Sequence, residues 1–207
     1  MITRIRRLAD NEGPILYPPY DTMCDDGIAD LARYLEAIGY DLKTEHTVLT
    51  PYRLTWYLRT LIGNAQRQKE YHITAFANEN PKIDHMVVVP HIPFWAACSH
   101  HLLPFVGDVS VGYVPHAKLI GLSKIPLIVR SMAKGFWMQE HLANEIADAF
   151  ERHLEPIGCA VRIEAQHTCQ LLDLEQPPIP KMVTTVLRGV FLLNPAAKEE
   201  FLAEVHR

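Results

Sequence analysis

Between residues 25 and 38, apolar side chains recur at helical spacing, at Ile28, Leu31, Ala32, Leu35 and Ile38, and Gly39 supplies a stop. Thr50-Pro51 reads as an N-cap followed by proline at the first helical position, opening a short amphipathic helix over residues 52 to about 63. Residues 1 to about 20 are irregular, broken by Pro14, Pro18 and Pro19. Beyond residue 86 the period changes. Residues 86–89 are rich in β-branched side chains, and alternation resumes from Phe105 through Gly107, Val109, Val111 and Tyr113. Two helices follow, over about 124–133 and 138–154, the second with Leu142, Ile146, Ala149 and Phe150 on one face. The clearest strand covers residues 159–171. Cys159, Val161, Ile163, Ala165, His167, Cys169 and Leu171 point one way, and Ala160, Arg162, Glu164, Gln166 and Thr168 the other. A last strand, about 183–192, precedes a short helix from Pro195. The order strand, strand, helix, helix, strand, strand predicts an α+β fold, an antiparallel sheet with two helices packed on one face. An N-terminal helical extension, residues 1–82, precedes this domain of residues 83–207. There is no internal repeat and no low-complexity tract.

A chain of 207 residues, 48% hydrophobic, can bury a full core. The net charge of -4 supplies no basic field for a polynucleotide backbone, so nucleic acid is excluded as a partner. The basic start, Arg4, Arg6 and Arg7, leads into Leu8-Ala9-Asp10-Asn11-Glu12 rather than an apolar stretch, so it is not read as a signal peptide. No run approaches the roughly 18 apolar residues needed to span a bilayer, and no membrane partner is expected. Four cysteines in this length suggest intracellular thiols, some bound to metal, rather than a disulfide framework. A soluble cytoplasmic protein is the expectation.

The chemistry concentrates in two clusters far apart in sequence, Cys98-Ser99-His100-His101 and His167-Thr168-Cys169. Thiolate and imidazole are the ligands zinc prefers, and a structural site normally closes with four of them. Here two cysteines and three histidines are available. If three bind metal, one position stays open for water and two histidines remain for proton transfer, the composition of a hydrolytic site. His167 and Cys169 lie two apart on the expected strand, so both are predicted on one sheet face at the strand's end. The competing reading is a buried histidine and an inert core cysteine.

Cys98-Ser99-His100-His101 followed by Leu103-Pro104-Phe105-Val106-Gly107 resembles the Cys-Glu-His-His signature of the GTP cyclohydrolase I family. So do Thr50-Pro51-Tyr52-Arg53, Gly121-Leu122-Ser123-Lys124, Gln139-Glu140, Glu164-Ala165-Gln166-His167-Thr168-Cys169 and Gly189-Val190-Phe191, in the same order from about Ile28 to the C-terminus. The resemblance implies a tunnelling fold, whose strand-strand-helix-helix-strand-strand core agrees with the order read from the pattern. It implies a toroidal homo-oligomer, typically a decamer, with active sites at subunit interfaces. It also implies the reaction, in which water adds to C8 of guanine, the imidazole ring opens and formate leaves. The ribose then rearranges to a pterin, dihydroneopterin triphosphate, on the way to tetrahydrofolate. By resemblance, Cys98, His101 and Cys169 hold Zn2+, His167 protonates the purine at N7, and His100 assists opening of the ribose. Both roles need a group titrating near neutrality, as imidazole does. Glu140, with Gln139 beside it, accepts hydrogen bonds from guanine N1 and the 2-amino group. Ser123 joins the catalytic set, and Arg53 and Lys124 grip the phosphates.

Departures fall at the phosphate end. Trp56 stands where the family has lysine, Leu127 and Asp173 where it has arginine, and Ser99 replaces the glutamate of the first motif. Three lost cations and one gained anion shift the local formal charge by about four units against a triphosphate, each close pair being worth about 1 kcal/mol in water and more when desolvated. This predicts a purine nucleotide or nucleoside with a smaller anionic tail as substrate. Asp173 would then accept from sugar hydroxyls, and Pro177-Pro178-Ile179-Pro180 would stiffen the loop. Two alternatives stand beside it. One is an ordinary GTP cyclohydrolase I whose phosphate contacts come from Arg130, Lys134, Lys181 or Arg188. The other is a non-catalytic, zinc-stabilised ligand-binding relative, against which His100 and His167 both speak.

Overall fold

The structure, a computed structural model, describes residues 25–67, 74–79, 83–172 and 180–206. They fall into two compact units that divide between Gly63 and Asn64. The first unit is helical. Helix α1, Asp25–Ala37, buries Ile28 and Ala32, and α2, Thr50–Arg67, buries Tyr52 and Leu61. The stop after α1 is the expected one. Gly39 takes φ +92°, a left-handed conformation that costs glycine no Cβ clash, and the Tyr40 N–H returns to the Leu35 carbonyl at 2.9 Å. Helix α2 runs on to Arg67 instead of ending near Gly63. One interior glycine costs only about 1 kcal/mol against alanine and does not end a helix by itself.

The second unit holds β1 (Ala75–Ala77), β2 (Val87–Cys98), β3 (Pro104–Val114), β4 (Lys118–Ile120), α3 (Lys124–Ala133), β5 (Phe136–Trp137), α4 (Gln139–Leu154), β6 (Gly158–His167), a 3-10 turn (Thr168–Leu172), β7 (Lys181–Leu187), α5 (Val190–Leu193) and α6 (Pro195–Val205). Strands β1 and β4 form a two-stranded sheet, and the main sheet runs β5-β2-β3-β6-β7. It is antiparallel except where the short β5 joins the end of β2 in parallel. One face is covered by α3 and α4. Ile125, Ile128 and Val129 of α3 and Leu142, Ile146 and Phe150 of α4 bury against Phe94, Phe105, Val109, Val111, Val161 and Ile163 of the sheet. On the other face, Phe191, Phe201 and Val205 of the C-terminal helices pack on Val114 and Ala160. Those two residues lie at the opposite end of the β3–β6 pair from His167.

Three strands differ from expectation. Strand β2 continues from residue 90 to 98 although Pro90 and Pro93 interrupt it. Its far edge meets β5 only at Ala97 and Cys98, so prolines upstream remove no hydrogen bond that another described strand requires. A register shift between Val89 and Ile92, with His91 at φ +53°, absorbs the irregularity. Strand β6 ends at His167, not residue 171. The next rung would face Pro104, which has no N–H to donate, and the Thr168 hydroxyl instead donates to the Pro104 carbonyl at 2.6 Å. Cys169 therefore leaves the sheet face on which alternation predicts it. Strand β7 spans Lys181–Leu187 rather than 183–192. Gly189, at φ +54°, turns the chain into α5 where a Cβ would lie 2.2 Å from the Ile157 carbonyl oxygen. The helix after it starts at Pro195 as expected, with the Asn194 side chain accepting from the Ala196 N–H at 3.0 Å.

Gly107 is a second glycine the fold requires. Its partner across β6 is Ala165, and a Cβ here would meet the Glu164 carbonyl oxygen at 2.0 Å and the Ala165 Cα at 2.6 Å. Backbone cannot yield as a side chain does, so Gly107→Ala is expected to cost about 1–3 kcal/mol and to lower Tm by roughly 3–10 °C in a chain of this size. Gly121→Ala is the control, because its Cβ would touch nothing closer than the Phe76 ring at 3.7 Å. Thermal unfolding of the two variants checks this, and equal melting temperatures would refute the close approach.

Candidate active site

The site forms where β2 hands over to β3. Cys98 closes β2 and is buried. Its N–H donates to the Leu103 carbonyl and its carbonyl accepts from the Leu102 N–H, both at 2.8 Å, with Leu102 at φ +59°. This tight turn throws His100 and His101 outward while the thiol faces in. The Ser99 N–H donates to the Trp137 carbonyl at 3.1 Å, tying the turn to the segment that leads into α4.

The register of β3 against β6 brings the second cluster alongside. Phe105 pairs with His167, and their rings stack with centroids 4.4 Å apart and planes 3° from parallel. The 3-10 turn then carries Cys169 back toward the hairpin. One ligand atom from each of Cys98, His167 and Cys169 lies within 4.8 Å of the others. Donors around one tetrahedral zinc sit roughly 3.5–4 Å apart, so small side-chain adjustments would close such a shell. His101 Nδ1 lies 4.0 Å from Cys98 Sγ and is a further donor within reach. Cys159, by contrast, is buried in the core, its thiol donates toward the Ala147 carbonyl, and burial pushes its pKa up to about 12. It remains a protonated core thiol.

Gln139 fixes His167 from behind. The amide is buried, and its nitrogen faces the Ile163 carbonyl (3.3 Å), the Met182 carbonyl (3.1 Å) and the Thr184 hydroxyl (3.0 Å). Two backbone carbonyls can only accept, so this end is the NH2 group and the other is the oxygen. That oxygen sits 3.0 Å from His167 Nε2. An amide oxygen also only accepts, so Nε2 carries the hydrogen and Nδ1 of the neutral ring is bare. Burial lowers the pKa of His167, and the Glu140 carboxylate partly opposes it. Glu140 is exposed in the first turn of α4, where the helix N-terminus favours a negative charge.

These groups line a cleft of about 180 Å³. It brings together Cys98, His100, His101, Gln139, Glu140, His167 and Cys169, all expected from the sequence, and adds Trp137, Met138, Gln170 and Met182. The added residues carry no motif of their own, although Trp137 and Met138 directly precede Gln139-Glu140 and Gln170 directly follows Cys169. Ser123, Lys124 and Leu127 share the start of α3 and are not among the lining residues. Arg53 and Trp56 lie on α2 in the first unit. Asp173 and residues 177–179 fall outside the described residues.

The model of the GTP cyclohydrolase I family matches residues 28–206. A protein named GTP cyclohydrolase 1 from Hydrogenobaculum sp. (strain Y04AAS1) is 37% identical over 174 residues, covering 84% of this chain and 93% of that protein. Proteins of the same name from Pelotomaculum thermopropionicum and Aquifex aeolicus are 38% and 40% identical, covering 80% and 82% of this chain and 88% and 89% of theirs. Among solved structures, the archaeosine synthase QueF-Like in the apo form is similar at TM-score 0.39 and 14% identity over 51% of this chain and 92% of that one, too distant to carry an argument.

The clamp on His167 is testable without turnover. Gln139→Met removes the only acceptor described for Nε2–H, so the imidazole is expected to populate both neutral tautomers. Imidazole ¹⁵N shifts of His167 report this, alongside a stability loss of about 1–3 kcal/mol for the lost buried hydrogen bonds. An unchanged Nε2–H tautomer in a folded variant would remove Gln139 from this role.

Proposed function

As the chain belongs to the GTP cyclohydrolase I family, we propose that it is a zinc-dependent hydrolase that adds water at C8 of a guanine-type nucleotide or nucleoside and opens the imidazole ring. Its α+β architecture is that family's tunnelling fold. The observation that carries the reading is the convergence of Cys98, His167 and Cys169 in a cleft that also presents Glu140. Two thiolates with imidazole are a donor set that suits zinc, and bound zinc supplies a water acidified toward neutrality as the nucleophile.

The chain's own residues divide the remaining work. Cys98 and Cys169 hold the metal, with His101 as the third ligand that the family resemblance assigns. His167 keeps its Nε2–H on Gln139, takes up a proton from solvent at its bare Nδ1 and passes that proton to purine N7, which makes C8 electrophilic. His100, exposed on the hairpin, protonates the ribose ring oxygen. The Glu140 carboxylate accepts from the guanine N1–H and the 2-amino group. The groups assigned to the base share one cleft of about 180 Å³.

For the tail, Arg53, Ser123 and Lys124 remain as phosphate contacts, while Trp56, Leu127 and Asp173 bring no positive charge. Leu127 is 43% exposed one turn along α3 from Lys124, an apolar group where a phosphate grip would need a cation. This supports a substrate with fewer phosphates than GTP. The relatives' name, GTP cyclohydrolase 1, favours the second reading, GTP itself. The enzyme works as a toroidal homo-oligomer in the cytoplasm. Trp95 and its cross-strand partner Val106, 47% and 46% exposed, support burial against another copy.

Formate release by zinc-loaded protein with GTP, GMP and guanosine in parallel tests the reaction and the tail together. Release from GMP or guanosine with GTP ignored is the expected result, and Asp173→Arg should then raise GTP use. Release from GTP with pterin fluorescence would establish the ordinary cyclohydrolase, and no release at all would sink the hydrolase. The roles of the two histidines separate by metal analysis. His167→Ala is expected to keep zinc and lose at least about 10²-fold in rate, the scale of a lost general acid, whereas His101→Ala loses zinc. Loss of zinc from His167→Ala would make that ring a ligand instead.

A further inference from the structure

Among the described residues, four buried side-chain polar atoms lack a hydrogen-bond partner, and two of them, Trp137 Nε1 and Gln170 Oε1, belong to residues lining the cleft. Native folds rarely leave such atoms unpaired, and an orphan at a binding site is most simply explained by the ligand. Their chemistry is complementary. An indole N–H only donates, and an amide oxygen only accepts. The neighbouring amide, Gln139, is already engaged at both ends by His167, Thr184 and two backbone carbonyls. Gln170 is therefore the amide lining this cleft that still has an acceptor to offer.

We infer that Trp137 and Gln170 are specificity-determining contacts for the base, with Gln170 Oε1 accepting from the exocyclic amine of a 2-aminopurine and Trp137 Nε1–H donating to an acceptor of the same ring. This rests on the hydrolase reading and deepens it. Guanine offers three donor hydrogens, on N1 and the two of the 2-amino group. A carboxylate lying along that edge takes the N1 hydrogen and one amine hydrogen, which is the part given to Glu140. One amine hydrogen is left, and Gln170 Oε1 meets it. N7 is used by His167, which leaves O6 and N3 as acceptors for the indole. The pair thus completes the reading of a guanine ring and discriminates against hypoxanthine, which lacks the amine.

The test compares substrates matched in tail and differing only at the 2-position: GTP with inosine triphosphate, GMP with inosine monophosphate, and guanosine with inosine. Formate release gives kcat/KM for wild type, Gln170→Met, Gln170→Leu and Trp137→Phe. The Ki of the inosine member as a competitive inhibitor replaces kcat/KM where it is not turned over. Melting temperature and zinc content are measured for each protein, and having two acceptor-less variants separates a fold defect in one from the loss of the acceptor. Both Gln170 variants are expected to lose about three- to tenfold on the guanine member and nothing on the inosine member, the range for one neutral hydrogen bond. Trp137→Phe is expected to weaken both members equally, because the indole acceptors are common to both rings. Equal losses on both members in the Gln170 variants, or none, would overturn the inference and leave the hydrolase standing. No formate from any guanine member with wild type would overturn the hydrolase, and this inference with it.

Discussion

The site depends on one register, the pairing that sets Phe105 opposite His167. A strand's side chains alternate with period two, so a slip of one residue would turn His167 away from the helices and its stacking partner. The same pairing fixes where β3 begins and hence where the hairpin bearing Cys98 stands beside the end of β6. Gly107 sits two residues along from Phe105 and lets the β6 backbone approach more closely than any side chain would permit. The contact that holds the sheet together in this region is therefore also the one that aligns the two clusters. Packing precision here becomes precision in the chemistry.

Polar satisfaction around this register is uneven in an informative way. Gln139, buried inside an otherwise apolar layer, spends its whole amide on backbone, Thr184 and His167. Such a network is costly to bury unless complete, and it is complete. The result is a histidine with one tautomer, ring-stacked on one side and hydrogen-bonded at one nitrogen, whose remaining nitrogen belongs to the cleft. Trp137 and Gln170 lie a few residues away in the same lining with polar atoms unanswered. The amide that positions His167 is fully paired, while two of the four unpaired buried side-chain atoms among the described residues belong to residues of the cleft lining.

Much of this was legible in the residues. Periodicity set the inward face of the longer helix, because Leu142, Ile146 and Phe150 each pack where a 3.6-residue repeat puts them. The cysteine and histidine types marked residues that converge in one cleft. Local pattern failed where tertiary context decides. Pro90 and Pro93 look like breakers, yet β2 meets β5 only at its last two residues and tolerates them. Alternation carried β6 to residue 171, yet the ladder stops at His167 because its next partner would be Pro104. Cys169 joins the cluster through the 3-10 turn and not through the strand face. The inward commitment of Gln139 was hidden too, since a Gln-Glu pair at a helix start looks solvated until Met182 and Thr184 of a distant strand are brought beside it.

The two ends of a bound nucleotide are consequently under different physical constraints. The groups assigned to the ring hang from a buried register and a fully paired amide, where a substitution that changes shape or leaves a donor unpaired costs stability as well as chemistry. Those assigned to the tail sit on the exposed start of α3 and on α2, and Leu127, at 43% exposed, can change without disturbing a core contact. A sequence can therefore keep the ring-opening machinery intact while its preference for the tail drifts. Cys98, His167 and Cys169 converge at the end of the buried sheet, whereas Leu127 lies on the exposed side of α3 and Trp56 on α2 of the first unit.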